Sequence, residues 1–185
     1  MGGLLPLPAS FETQPVAGPN RPRPRKKGRT PMIVGVVKES FPNEARVAMV
    51  PALVPQLAQA GIEVVIESGA GDAAGFLDTE YSAKGAKVVP DRAEVFKTAD
   101  LIAQVRTLGA NPDAGSADLE LLRDGQAVVG VCEPLTEHEA TKKLADKGVT
   151  LFSMEMMPRI TRAQSMDILS SMATIAGYKA CLLYT

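Results

Sequence analysis

From Met32 to Met154 the chain alternates short β-branched apolar runs with helix-like segments. That alternation restricts it to folds assembled from βαβ units, because consecutive buried strands joined by helices pair in parallel. The strand-like runs are Met32–Val37, Ile62–Ile66, Lys87–Val89, Leu101–Val105, Gln126–Val131 and Val149–Met154. Met32–Val37 is a short apolar, β-branched run, as expected of a buried parallel strand. Helices are expected over 46–60, Thr79–Gly85, Asp91–Lys97, Ala117–Leu122 and Glu137–Lys147, with Asn111–Ser116 as a polar loop. The helix over 46–60 carries Val47, Val50, Leu53, Val54, Leu57 and Ala60 at helical spacing, with Pro51 near its first turn. The predicted class is α/β: a doubly wound, mostly parallel sheet, Rossmann-like or flavodoxin-like.

The two ends differ from this body. Residues 1–31 hold seven prolines and six Lys/Arg against one acid, Glu12, and read as a disordered basic extension that a start at Met32 would leave out. The α/β domain is expected over 32–164. From Ser165 or Asp167 a long helix is predicted to run to residue 185, with Met166, Ile168, Leu169, Met172, Ile175, Ala176, Leu182 and Leu183 nearly encircling it. Such a helix needs cover on most sides, so the sequence reads as a truncated protein, with 165–185 leading into a missing nucleotide-binding domain.

Charge and composition exclude several function classes. Beyond residue 31 the chain has 14 basic and 20 acidic residues, which argues against nucleic acid as a partner. No run reaches the roughly 18 apolar residues of a membrane span. Cys132 and Cys181 each stand alone in an apolar run and read as small buried hydrophobes. With His138 the one histidine, no metal-ligand spacing exists, and no metal site is expected.

One motif invites a nucleotide reading. Gly69-Ala70-Gly71-Asp72-Ala73-Ala74 follows a strand and fits G-x-G-x-x-G/A, with Asp91 twenty residues past Gly71. It is rejected on two grounds. Gly75-Phe76-Leu77-Asp78 delays the helix whose N-terminus should hold a pyrophosphate, and that helix is short. Asp72 would also place negative charge inside the loop. A strand-to-helix connection using glycines for positive φ is preferred.

Two other segments carry more chemistry. The first is Gly35-Val36-Val37-Lys38-Glu39, continuing through Asn43-Glu44-Ala45-Arg46-Val47-Ala48 to Pro51. It lies at the carboxyl edge of strand one, where parallel sheets bind ligands. Lys38 and Arg46 are possible ligand-edge groups; alternatively, these charges form loop salt bridges. The second runs from Pro158-Arg159-Ile160-Thr161-Arg162-Ala163-Gln164-Ser165-Met166-Asp167 through Ile168-Leu169-Ser170-Ser171 to Tyr178. It offers a guanidinium, a carboxamide, a carboxylate and hydroxyls at a helix start. The plainer alternative is a capped helix, with Ser165 as cap and Arg159 paired to Asp167.

Together these segments resemble the alanine dehydrogenase and pyridine nucleotide transhydrogenase family, across nearly all of 32–185, and the second is similar to the transhydrogenase form. The resemblance implies part of the NAD(H)-binding α subunit of a proton-translocating NAD(P) transhydrogenase, which moves hydride between NAD(H) and NADP(H) and is incomplete on its own. It implies cofactor-binding roles for Arg159, Gln164 and Asp167 in a mobile loop at the nicotinamide end of NAD, with Ser170 a further nicotinamide-side contact, and no acid–base catalyst. NADP(H) would sit on a partner subunit. The partners implied are membrane and NADP-binding transhydrogenase subunits, with the α subunit itself a homodimer on the cytoplasmic side, peripheral to the inner membrane. The dehydrogenase form has a Lys after strand four and a His after strand five; this chain has Arg106 and, around Cys132-Glu133-Pro134, no His. An amino-acid dehydrogenase domain and a non-enzymatic nucleotide-binding module stand as the alternatives.

Overall fold

Six parallel strands form one sheet in the order β3-β2-β1-β4-β5-β6. This is the Rossmann order, not the flavodoxin one. The computed structural model describes residues 31–184. The basic extension called over 1–31 therefore lies outside the described residues, apart from Pro31.

The strands are β1 (Met32–Val36), β2 (Ile62–Glu67), β3 (Lys87–Val89), β4 (Leu101–Arg106), β5 (Ala127–Val131) and β6 (Thr150–Ser153). The helices are α1 (Val54–Gln59), α2 (Asp78–Ala83), α3 (Arg92–Thr98), α4 (Pro112–Leu121), α5 (His138–Asp146) and α6 (Ile168–Tyr184).

Alternate strand residues face opposite layers. Val34, Val36, Val64 and Ile66 pack with Met49, Val54 and Tyr81 on one side. Val37, Val65, Val89, Ile102 and Val128 pack with Val95, Phe96 and Leu144 on the other. Each fully buried aliphatic side chain contributes about 1.5–3 kcal/mol, which lets these layers hold the sheet with few aromatics. Tyr81 is fully buried and donates its hydroxyl to the Met49 carbonyl at 2.7 Å, fixing the chain ahead of α1. Gly35 lets α3 approach β1, since a Cβ there would lie 2.7 Å from Ala99 Cβ and Val95 Cγ1.

Four expectations need correction. The helix over 46–60 is shorter: it begins as a 3-10 turn at Pro51–Leu53 and becomes α1 only at Val54. Pro51 and Pro55 lack the amide protons that a longer helix would use. The polar loop at Asn111–Ser116 is mostly helical, because α4 starts at Pro112, a residue well suited to a first turn. The final helix starts at Ile168, after a 3-10 segment over Thr161–Met166. Cys132 is buried as expected, but Cys181 is exposed on α6, none of whose residues is buried.

Candidate functional site

Beyond the last β1–β4 pair, Val36 with Ala103, the two strands part and the following loops diverge. A Rossmann sheet opens to ligands at this point, where the strand order reverses. Here the gap is closed by the chain itself. The Glu39 carboxylate accepts from the amides of Val105 (2.6 Å) and Arg106 (3.2 Å). Burial pushes its carboxyl up, against the lowering effect of those two amides.

The first sequence segment becomes a charged cluster over this gap. Asn43 adopts φ 62°, which asparagine tolerates, and the turn there presents Glu44. Arg46 grips Glu44 in a two-point contact, Nε at 2.7 Å and Nη2 at 2.5 Å, and Arg106 Nε adds a third donor at 3.0 Å. The Arg46 guanidinium, helped by Arg106, holds the Glu44 carboxyl down at about 2. Arg106 also lies over the Phe41 ring, 4.2 Å from its centroid. The expected ligand-edge residue Arg46 thus has an internal carboxylate as its partner. Lys38 keeps an exposed side chain, while its backbone amide donates to Glu67 and its carbonyl accepts from Arg92.

Sequence reasoning missed the residue that ties this edge together. Arg92, at the first turn of α3, donates to both oxygens of Asp118 on α4 (2.7 Å each), to Glu67 at the end of β2 (2.9 Å) and to the Lys38 carbonyl (2.7 Å). Gln104 on β4 donates to the same Asp118 at 2.7 Å. Desolvation opposes the Arg92 charge, but Asp118 and Glu67 outweigh it and raise its pKa. Arg92 and Asp118 stand 26 positions apart, and no periodic signal marks this contact.

The second segment places its residues in two groups. Asp167 is buried and caps α6: one oxygen accepts from the amides of Leu169 (3.0 Å) and Ser170 (3.2 Å), the other from the Ser170 hydroxyl (2.7 Å). The Ser170 hydroxyl and amide, more than the distant charge of Arg159, lower the Asp167 pKa. Asp167, not Ser165, is therefore the cap. Among the described residues no ion pair joins Arg159 to Asp167. Arg159 and Gln164 are exposed, and their side chains have no hydrogen-bond partner among the described residues. The two segments meet where Arg46 Nη1 points at Met172 Sδ on α6, 3.6 Å away.

The glycine loop is built unlike a phosphate cradle. The Gly69 amide, which an anion would use, already donates to Asp78 at 3.0 Å, and the Ser68 hydroxyl donates to the same carboxylate at 2.6 Å. The helix that follows, α2, has six residues. Gly71 has an ordinary negative φ; it is needed for space, since a Cβ would lie 2.6 Å from the Phe76 carbonyl and 2.7 Å from the Tyr81 ring.

These features define an α/β domain of Rossmann topology whose carboxyl edge carries arginines and an arginine–glutamine turn in place of a glycine-rich phosphate loop. Residues 35–176 match the N-terminal domain model described as alanine dehydrogenase/PNT, and the chain belongs to that family. It is 44% identical over 151 residues to the NAD(P) transhydrogenase subunit alpha of Cereibacter sphaeroides, covering 82% of this chain and 28% of that protein. It is 36% identical over 146 residues to the alanine dehydrogenase of Methanococcus maripaludis, covering 79% of this chain and 37% of that one. The crystal structure of transhydrogenase from Sinorhizobium meliloti superposes with a TM-score of 0.73 at 44% identity, over 81% of this chain and 41% of that chain. The chain thus spans well under half the length of these relatives. No helix among the described residues is long and apolar enough to cross a membrane.

Proposed function

We propose that this chain is part of the NAD(H)-binding α subunit of a proton-translocating NAD(P) transhydrogenase. The observation that carries the reading is the turn from Pro158 to Asp167, which leaves the polar ends of Arg159 and Gln164 unpaired among the described residues while Asp167 and Ser170 secure the helix behind them. Unpaired, solvent-facing donors and acceptors are what a nucleotide ligand needs from a binding turn. Arg159 and Gln164 fit the nicotinamide end of NAD(H) well. Asp167 and Ser170 fit less well as direct ligands, because their polar atoms serve the cap; their role in this reading is to orient the turn.

NAD(H) supplies or accepts the hydride when bound. Hydride transfer between two nicotinamides moves no proton at the reacting carbon, so position and dryness matter more than a general base. Arg159 would donate to carboxamide or ribose oxygens, and Gln164, both donor and acceptor, would face the second nucleotide. NADP(H) would be held by a partner subunit. Membrane and NADP-binding subunits complete the machine, with the α subunit a homodimer on the cytoplasmic side of the inner membrane. The absence of a histidine from 132–134 and the engagement of Arg106 with Glu44 both disfavour amino-acid oxidation.

The test is hydride transfer from NADH to an NADP analogue by the full-length protein with its NADP-binding partner, in wild type, Arg159→Ala and Gln164→Ala. A loss of about tenfold or more in either variant supports the reading, that being the scale of one charge-assisted hydrogen bond. Alanine-dependent NAD reduction without nucleotide-to-nucleotide transfer would overturn it.

A further inference from the structure

The turn that carries Arg159 and Gln164 is held at both ends by a carboxylate that clasps two consecutive backbone amides. At the far end this is Asp167 with Leu169 and Ser170. At the near end it is Glu155, in the 3-10 segment Met154–Met156 that follows β6. The last β5–β6 pair is Gly130 with Ser153. Past it the ladder stops, and Glu155 Oε1 continues the connection by accepting from the amide of Cys132 at 2.8 Å and from that of Glu133. Glu133 sits at φ 53°, an uncommon conformation for a residue with a side chain. The two consecutive amides converge on one carboxylate oxygen, in the manner of a small anion nest.

Burial pushes the Glu155 carboxyl up, but its own amide, the Ser153 hydroxyl and the amides of Cys132 and Glu133 outweigh burial and leave it ionised more readily than usual. Its second oxygen and the neighbouring Ser153 hydroxyl are both buried, and neither completes a well-aligned hydrogen bond. Between the two clasps only Ala163 is buried. Inside the turn the 3-10 segment Thr161–Met166 makes only local backbone bonds, so the clasp at Glu155 is what ties its start to the sheet.

We propose that Glu155 is a positioning residue for hydride transfer: by clasping the end of β5 it fixes the start of the turn and so the placement of Arg159 and Gln164. This rests on the transhydrogenase reading above, and the anchor can be tested apart from it. Arg159 and Arg162 are exposed sites for trypsin, and cleavage there reports local opening of the turn. In the full-length protein, Glu155→Ala is expected to raise the rate of cleavage after Arg159 or Arg162, identified by product mass, about tenfold, the opening expected from losing two charge-assisted bonds. Glu155→Gln keeps an oxygen that accepts from both amides and should restore cleavage to within about twofold of wild type. Glu155→Asp keeps the charge but is too short to reach, and should resemble Ala; it serves if Ala fails to fold.

In hydride transfer at saturating nucleotide, Ala and Asp should lower the rate and Gln should restore it, an order that a purely charge-based role would reverse. Unchanged cleavage in Glu155→Ala would overturn the anchor. Raised cleavage with normal hydride transfer, in a protein where Arg159→Ala is impaired, would overturn the positioning role and leave the transhydrogenase reading standing. Raised cleavage with none of Glu155→Ala, Arg159→Ala and Gln164→Ala affecting transfer would overturn that reading, and the positioning role with it.

Discussion

Arg92 offers the sharpest test of how the carboxyl edge is held together. Replacing it with methionine keeps most of its volume and removes four contacts: two to Asp118, one to Glu67 and one to the Lys38 carbonyl. Each charge-assisted bond is worth about 1.5–3 kcal/mol in isolation, but such values do not add within one network. The guanidinium is 23% exposed, so water enters the site in the variant and relieves part of the loss. Breaking a buried pair by removing one partner costs about 3–5 kcal/mol, and the partial exposure argues for the lower end, about 3 kcal/mol. For a chain of this size that lowers Tm by about 6–12 °C. Thermal unfolding by circular dichroism reads it directly. Most of the cost is Asp118 left charged without its cation, its remaining bond coming from Gln104. Arg92→Met combined with Asp118→Asn should therefore be more stable than Arg92→Met alone. A Tm drop below about 3 °C, or a double variant less stable than the single one, would refute the account of Arg92 as the hub of this edge.

Two further outcomes follow from the site geometry. Gly71→Val should destabilise the fold by about 1–3 kcal/mol through contact with the Phe76 carbonyl and the Tyr81 ring, while leaving NADH affinity of the full-length protein unchanged; titration by NADH fluorescence beside urea unfolding separates the two effects. Glu44 is lowered from 4.5 to about 2, so its contribution to stability is complete above pH 4.5 and is lost as pH falls from there through 2. Glu44→Gln should be less stable than wild type at pH 7 and should close most of that gap by pH 2, as read from urea midpoints across the series.

The strands were legible because buried parallel strands are rich in apolar, β-branched residues, and Met32–Val37 carries no polar side chain. Helix limits were less so. Spacing of Val47, Val50 and Leu53 suggested an early helix start, but periodicity takes no account of the two proline nitrogens that cannot donate. At α4 the polar composition of Asn111–Ser116 concealed a start signal that was present, proline in the first turn followed by Asp113. The charged cluster was visible as a list of residues, and salt bridging was among its readings. Its geometry was not visible, because the Glu44–Arg46 clasp depends on a left-handed Asn43 and the Glu39 contact depends on how β1 and β4 part. Arg92 and Glu155 were missed for a related reason. Each joins segments over 20 residues apart through backbone or carboxylate atoms, and no local pattern marks such a contact.

The alternation of side chains along the sheet also has an evolutionary side. Val36 and Val37 are neighbours in the chain, yet one belongs to the layer around Tyr81 and the other to the layer around Phe96. The backbone between them acts as a partition, and packing on one face is solved without reference to the other. Substitutions can then accumulate in either layer without compensation across the sheet, so a lineage can remodel the flank beside α2 while the one beside α3 and α5 stays as it was.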